Sequence, residues 1–172
     1  MPISASVEAR IRVSGEKTAG LGNEKVSKLL EHFFQIAEGV GLGQADQIYA
    51  DERTVAAATT DAIDLSGTLK DIFNANVVGV TLVTVMIVNR NMAGVANTTT
   101  LTVGGGANPI TGLFTGAAHT MPVRPGQAVL FDGSQSAVGL GPIVAATGDI
   151  LNVVNPAGAA NTYGIVLIVR KS

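Results

Sequence analysis

The sequence predicts an all-β fold, an antiparallel β-sandwich or jelly roll with one short helical turn near residues 67–74. Three observations predict it. Ile3, Ala5, Val7, Ala9, Ile11 and Val13 alternate with polar residues, the period of a half-buried strand. Residues 77–88 (VVGVTLVTVMIV) carry no charge and are dense in Val and Thr, which suits a strand covered on both faces. Turn signals then recur between short apolar runs: GGGANP (104–109), RPG (124–126), DGS (132–134), GLGP (139–142), TGD (147–149) and NPAGAAN (155–161).

The elements follow in order. The alternating segment ends before Gly15, and Gly15 and Gly20–Gly22 mark a loop. Asn23–Glu38 carries two patterns. Val26, Leu29, Leu30, Phe33 and Ala37 fit one face of a helix, with Asn23 as cap and Gly39 as stop. Leu30, His32, Phe34 and Ile36 also alternate as in a strand, and the strand is preferred because the rest of the chain is strand. GVGLGQ (39–44) is a glycine loop, Asp46–Ala58 a strand and Asp61–Leu65 a short one. SGTLKDIFN (66–74) reads as a helical turn with Leu69, Ile72 and Phe73 inward. Further strands are expected at Val77–Arg90, Thr98–Val103, Ala118–Val123, Gln127–Phe131, Ile150–Val154 and Tyr163–Arg170. The expected organisation is a single domain, 1–172, with an N-terminal strand or arm and loop region at 1–43 and a sandwich core at 44–172.

Composition narrows the function classes. The 172 residues can bury a sizeable core. Charged residues are 14% of the chain, against about 25% in ordinary domains. Beyond residue 70 only Asp71, Arg90, Arg124, Asp132, Asp149, Arg170 and Lys171 are charged. The net charge of -2 and pI of about 5.6 argue against nucleic-acid binding, which needs a clustered basic footprint. With no Cys there is no disulfide frame, thiolate metal site or Cys nucleophile. The start MPISASVEARIRV lacks an unbroken apolar stretch, so no secretory signal is expected. Residues 77–88 are too short for a membrane helix, which needs roughly 17–25 apolar residues.

No catalytic constellation emerges. His32 and His119 lie far apart, and neither has a second His within a helical turn, which weakens a cupin-type metal site. Ser134 sits in DGSQS without a GxSxG frame and reads as a turn serine. VGGGANPITG (103–112) lacks the GK[ST] of a phosphate loop. Asp46, Asp51, Glu52, Asp61 and Asp64 do not follow a calcium-loop spacing and read as solvated positions. Asn97-Thr98-Thr99 is a glycosylation sequon with meaning only in a secretory pathway. Neither an enzyme nor a cofactor is expected.

What stands out is uncharged β surface. In the apolar strand Val78, Val80, Leu82, Thr84, Met86 and Val88 form a bulky face, expected to fill the sandwich. Val77, Gly79, Thr81, Val83, Val85 and Ile87 form a smaller face, which needs a loop, the N-terminal segment or another chain to cover it. Val77, Thr81, Val83, Val85 and Ile87 are therefore candidate subunit-interface residues, and a closed homo-oligomer is expected.

The run QADQIYADERTVAAATTDAIDLSGTLKDIFNANVVGVTLVTVMIVNR (44–90) resembles a group of tailed-bacteriophage virion proteins. Their pattern is a QAD strand, a D-x-R-T turn, an acidic D-L-x-G step, an L-x-D-x-F turn and a long apolar strand. Here these are Gln44-Ala45-Asp46, Asp51-Glu52-Arg53-Thr54, Asp64-Leu65-Ser66-Gly67 and Leu69-Lys70-Asp71-Ile72-Phe73. TLTVGGGANP (100–109), VRPGQAVLF (123–131) and TGDILNVVNPAGAANTYGIVLIVR (147–170) also fit. The resemblance spans roughly residues 44–170 and rests on turn and packing motifs. It implies a jelly-roll capsid decoration, or cement, protein: a trimer on the outside of the virion shell, made in the host cytoplasm, with the major capsid protein as partner. Head-fibre base, neck or tail proteins of the same particle are the alternative, and a glycan-binding jelly roll, poor in the necessary aromatics, a distant third. By position, Met1–Val13 is the segment expected to reach a neighbour.

Overall fold

The computed structural model describes residues 3–19, 22–91, 93–114, 116–156 and 158–171. Every regular element among them is a strand: β1 (Ala5–Ala19), β2 (Gly22–Glu38), β3 (Gln44–Ala45), β4 (Gln47–Val55), β5 (Thr59–Asp64), β6 (Thr81–Val88), β7 (Leu101–Gly104), β8 (Thr120–Val123), β9 (Ala128–Asp132), β10 (Gly141–Pro142), β11 (Ile150–Asn155) and β12 (Asn161–Arg170). The all-β expectation holds, and Asn23–Glu38, which carried both patterns, is a strand; β1 also runs on through Gly15, where a loop was expected. β2 runs antiparallel to β1 in unbroken register, from Ala5 opposite Ile36 to Ala19 opposite Gly22. That pairing satisfies the backbone groups that each strand turns toward the other. It also sends Val26 and Leu30 to one face and Leu29 and Phe33 to the other, where a helix would have grouped them.

Two sheets form the sandwich. One has the order β10-β6-β12-β4, with β9 also paired to β6; the other has the order β5-β11-β7-β8. Their inner faces share one core. Tyr49, Val85, Ile87, Tyr163, Ile165 and Leu167 from the first sheet meet Ile63, Leu101, Val103, Leu151 and Val153 from the second. The strands supplying these residues alternate at period two, so each presents every second side chain inward.

The long apolar strand departs from its expected facing. Pairing of β6 with β12 steps from Thr84 opposite Ile168 to Leu82 opposite Val169, leaving Val83 as an extra residue in β6. Such a bulge reverses the in-out alternation on either side of it. Val85 and Ile87 therefore enter the sandwich core together with Leu82, while Val83 packs in a second cluster on the sheet's outer face; Val77, which precedes β6, also packs in the core. Val78, Val80 and Met86, expected inside, are exposed. Val77, Val83, Val85 and Ile87 are thus fully covered by their own chain, and Thr81 is half-buried beside Pro142 and Arg170. This corrects their assignment as a face awaiting another subunit.

The helical turn expected at 67–74 is also corrected. Residues 65–68 and 72–74 form separate turns. Asp64 Oδ1 accepts the Ser66 amide at 2.9 Å. Asp71 Oδ1 accepts the amides of Phe73 and Ala75 at 2.9 and 2.8 Å. These carboxylates take the amides that a helix would have directed to its own carbonyls. Leu69 still packs on the core, but Ile72 and Phe73 are exposed. The segment also blunts the edge strand β4, since the Ile72 amide donates to the Ile48 carbonyl.

Glycine is required where two connections cross. A Cβ on Gly112 would lie 2.5 Å from both the Gly141 Cα and the Leu140 carbonyl oxygen. Neither backbone can retreat without moving β10 off β6. Gly112→Ala is expected to cost about 2–3 kcal/mol through overpacking, which lowers the thermal midpoint of a chain this size by about 4–12 °C. Differential scanning calorimetry checks it, and an unchanged midpoint would show that the crossing is not tight.

Candidate functional site: a projecting hairpin and an open sheet face

The β1–β2 hairpin is longer than the surface it rests on. Its base carries Ile3, Ala5, Val7, Phe34 and Ile36 on one face. These pack on the outer face of the β6-containing sheet, against Ile48, Leu130, Val166, Ile168 and the bulged Val83. The contacts draw on β4, β9, β12 and β6, so the base crosses the strands. Beyond it, residues 8–17 and 25–33 are exposed throughout. The apolar face nevertheless continues along the projecting part. Ile11 lies opposite Leu30, Val13 opposite Lys28 and Gly15 opposite Val26. Exposure is 62% for Ile11, 60% for Val13, 56% for Val26 and 72% for Leu30. The reverse face is mixed, with Leu29, Phe33 and an Arg10–Glu31 ion pair at 3.4 Å.

A polar latch marks the point of departure. His32 Nε2 donates to Asp132 Oδ2 at 2.8 Å. The same carboxylate accepts the Ser134 hydroxyl at 2.8 Å, the Thr84 hydroxyl at 2.9 Å and the Ser134 amide at 3.1 Å. Burial pushes the Asp132 carboxyl up, but the bonds from His32, Ser134 and Thr84 outweigh it and hold it below the ordinary carboxylate range. Histidine, aspartate and serine meet here, but not as a catalytic relay. Asp132 stands between the other two, and the buried Ser134 hydroxyl is spent on the carboxylate rather than on the imidazole. Ser134 is a turn serine, as its DGS context suggests.

The outer face of the sheet is only half covered. Successive rows across β4, β12, β6 and β9 are Ile48–Ile168–Thr84–Asp132, then Ala50–Val166–Met86–Leu130, then Glu52–Gly164–Val88–Ala128. The hairpin base seals the first row and reaches Val166 and Leu130 of the second. Over the next two lies an open groove of about 290 Å³, lined by Ala50, Met86, Val88, Gly164 and Val166, with Asp51 and Arg90 at its rims. Gly164 shapes it, for a Cβ built there would meet nothing within 4 Å.

A second polar cluster ties the sandwich together. The Arg53 guanidinium forks onto Asp61, with Nε and Nη2 each 2.6 Å from a carboxylate oxygen. Tyr163 donates to Asp61 Oδ2 at 2.8 Å, Arg53 Nη1 donates to the Tyr49 hydroxyl at 2.9 Å, and Tyr49 donates to Asp51 at 2.9 Å. Burial raises the Asp61 carboxyl, yet Arg53 and Tyr163 hold it below the usual range. The Tyr163 hydroxyl is pushed well up by burial and by Asp61, and Tyr49 is raised chiefly by burial. Phenols so held are hydrogen-bond donors, not general bases. The cluster joins β4 and β12 of one sheet to β5 of the other.

The remaining candidates are dispersed. His119 is exposed, with its amide closing a turn onto Gly116. Asp46 accepts the Lys171 amide, and Asp64 holds the 66–68 turn. Among the described residues no three His, Cys, Asp or Glu cluster as metal ligands. The Asn97 side-chain amide is engaged with Asn89 at 2.6 Å and with the Thr162 carbonyl at 2.8 Å. Asp61 departs from its expectation as a solvated acid. A signal existed, since Arg53 and Asp61 flank the Ala56–Ala58 turn closely enough to meet. The His32–Asp132 contact spans 100 positions and has no local signal.

Comparison with known protein families finds no model that matches the chain, and comparison with curated proteins finds no match.

Asp61, Asp132 and Asp149 all titrate below the ordinary aspartate range in the fold. Their contribution to stability is complete above the unfolded value near pH 4 and is lost as pH falls through the lower folded values. The unfolding midpoint is expected to fall steeply below about pH 4. Asp132→Ala should flatten part of that slope and cost about 1–3 kcal/mol, because Thr84 is buried and loses its acceptor. Hydrogen exchange should report faster opening at residues 5–7 and 34–36. Unchanged protection there would remove the latch role.

Proposed function

We propose that the chain is a structural protein of a tailed-phage particle, a jelly-roll cement protein that binds the outside of the assembled capsid and stabilises the shell. The major capsid protein is its partner in this reading, and the working form is a homo-oligomer, with a trimer favoured. One observation carries it: a rigid sandwich presents a long hairpin whose apolar face runs on, uncovered, past its docking surface. A two-stranded ribbon is marginal alone in water and gains stability when its face is packed. A monomer with a small-molecule task has no use for such an arm, whereas an assembly protein does. The motif resemblance over 44–170 points the same way.

The mechanism is linkage. A protein that binds only the assembled lattice stabilises the lattice by mass action, and many copies multiply small contacts. No catalytic step enters it. Particles stripped of the protein are expected to lose their genome at lower temperature, or under milder osmotic shock, than particles that carry it. Adding the purified chain back should restore survival. Equal survival with and without it counts against the reading, and cryo-EM density at the neck, fibre base or tail would move the protein to another part of the virion.

A further inference from the structure

The projecting hairpin and the open groove are two apolar surfaces left uncovered among the described residues, and they match. We propose that the distal hairpin of one copy seats in the groove of a second copy. The contact pairs the stripe Ile11, Val13, Val26 and Leu30 with Ala50, Met86, Val88, Gly164 and Val166 of the neighbour. This deepens the self-association in the proposed function and does not depend on binding to a capsid.

The chain already displays this contact in half. The base of the same hairpin face lies across the same sheet face and buries aliphatic side chains against aliphatic side chains. The distal stripe carries the same chemistry onward, and the groove continues the same sheet face into the next two rows. Dimensions agree. Four residue steps from Ile11 to Gly15 advance about 14 Å, and four strands spaced about 4.8 Å apart are about 14 Å across, so the stripe spans the sheet. Two paired strands are wide enough to cover two rows about 6.8 Å apart. Lys28 on the stripe and Lys17 just beyond it carry positive charge toward a groove whose β4 rim bears Asp51 and Glu52; Arg90 lies at the other rim.

The occupant cannot be the chain's own tip. β1 and β2 stay in register from the docked base to Ala19 opposite Gly22, and the His32–Asp132 latch fixes where the ribbon leaves the body. Folding back would break the ladder. A second copy supplies the stripe without breaking anything. A hairpin-to-groove contact is head-to-tail, and such contacts close into rings when the rotation permits.

Complementation tests it. Sedimentation of the purified chain at micromolar concentration should show a closed oligomer. The double variant Ile11→Glu/Leu30→Glu spoils the stripe, and Gly164→Leu fills the groove where a Cβ has open space; both should sediment as monomers with unchanged circular dichroism. Ala50→Glu, also exposed, is a second groove variant that should behave as Gly164→Leu does. Mixed one to one, a stripe variant and a groove variant retain a single intact contact and should form a heterodimer and nothing larger. A monomeric parent chain overturns the inference, and if that monomer still protects particles the capsid reading stands alone. Groove variants that remain oligomeric, or two monomeric variants that fail to combine, overturn it equally.

Discussion

The ladder between β6 and β12 governs most of what the molecule presents. β12 is the one strand that pairs with both β4 and β6, so it holds the larger sheet together. Its single irregularity, the extra residue at Val83, decides which side chains of β6 face the sandwich and which face out. Without that step Val85 and Ile87 could not share the core with Leu82. Val83 would then be lost from the outer surface, where it anchors the hairpin base with Ile168. One inserted residue thus serves two clusters on opposite faces of the same sheet.

The two halves of the hairpin are held by different means. The base is stabilised by burial, with Ile3, Val7 and Ile36 almost fully covered, each of which contributes on the order of 1.5–3 kcal/mol when removed from water. The distal half has only its own ladder, its cross-strand pairs and an exposed ion pair, each worth about a kcal/mol or less. Stability therefore declines sharply along a single element. The latch at Asp132 sits at that boundary and separates the part packed on the domain from the part that projects beyond it.

Much of this was legible in the chain. Strict alternation from Ile3 to Val13, and the glycine and proline turns after residue 100, marked strands and connections because both are local effects. Other features depended on partners distant in sequence. Alternation in residues 77–88 gave two faces but not their directions, since the step at Val83 is set against Ile168 and Val169. Nothing in Ile11 or Val13 distinguishes them from Ile3 or Val7, because only the extent of the sheet beneath decides where coverage stops. The 66–74 segment misled because Leu69, Ile72 and Phe73 have helical spacing while Asp64 and Asp71 capture the amides first. The groove has almost no signature, being defined by the side chain that Gly164 lacks.

The position of β12 also has a kinetic side. Its pairs with β4 join residues more than a hundred positions apart, whereas β1 and β2 pair neighbouring stretches of the chain. Local hairpins close early, and distant ladders must first overcome the entropy of a long loop. On a ribosome the apolar arm would therefore be complete while the sheet that receives its base was still lacking its middle strand. During that interval Ile3, Val7 and Ile36 have no bed. The order in which this polypeptide is made thus brings its projecting apolar hairpin into being before its own domain can close.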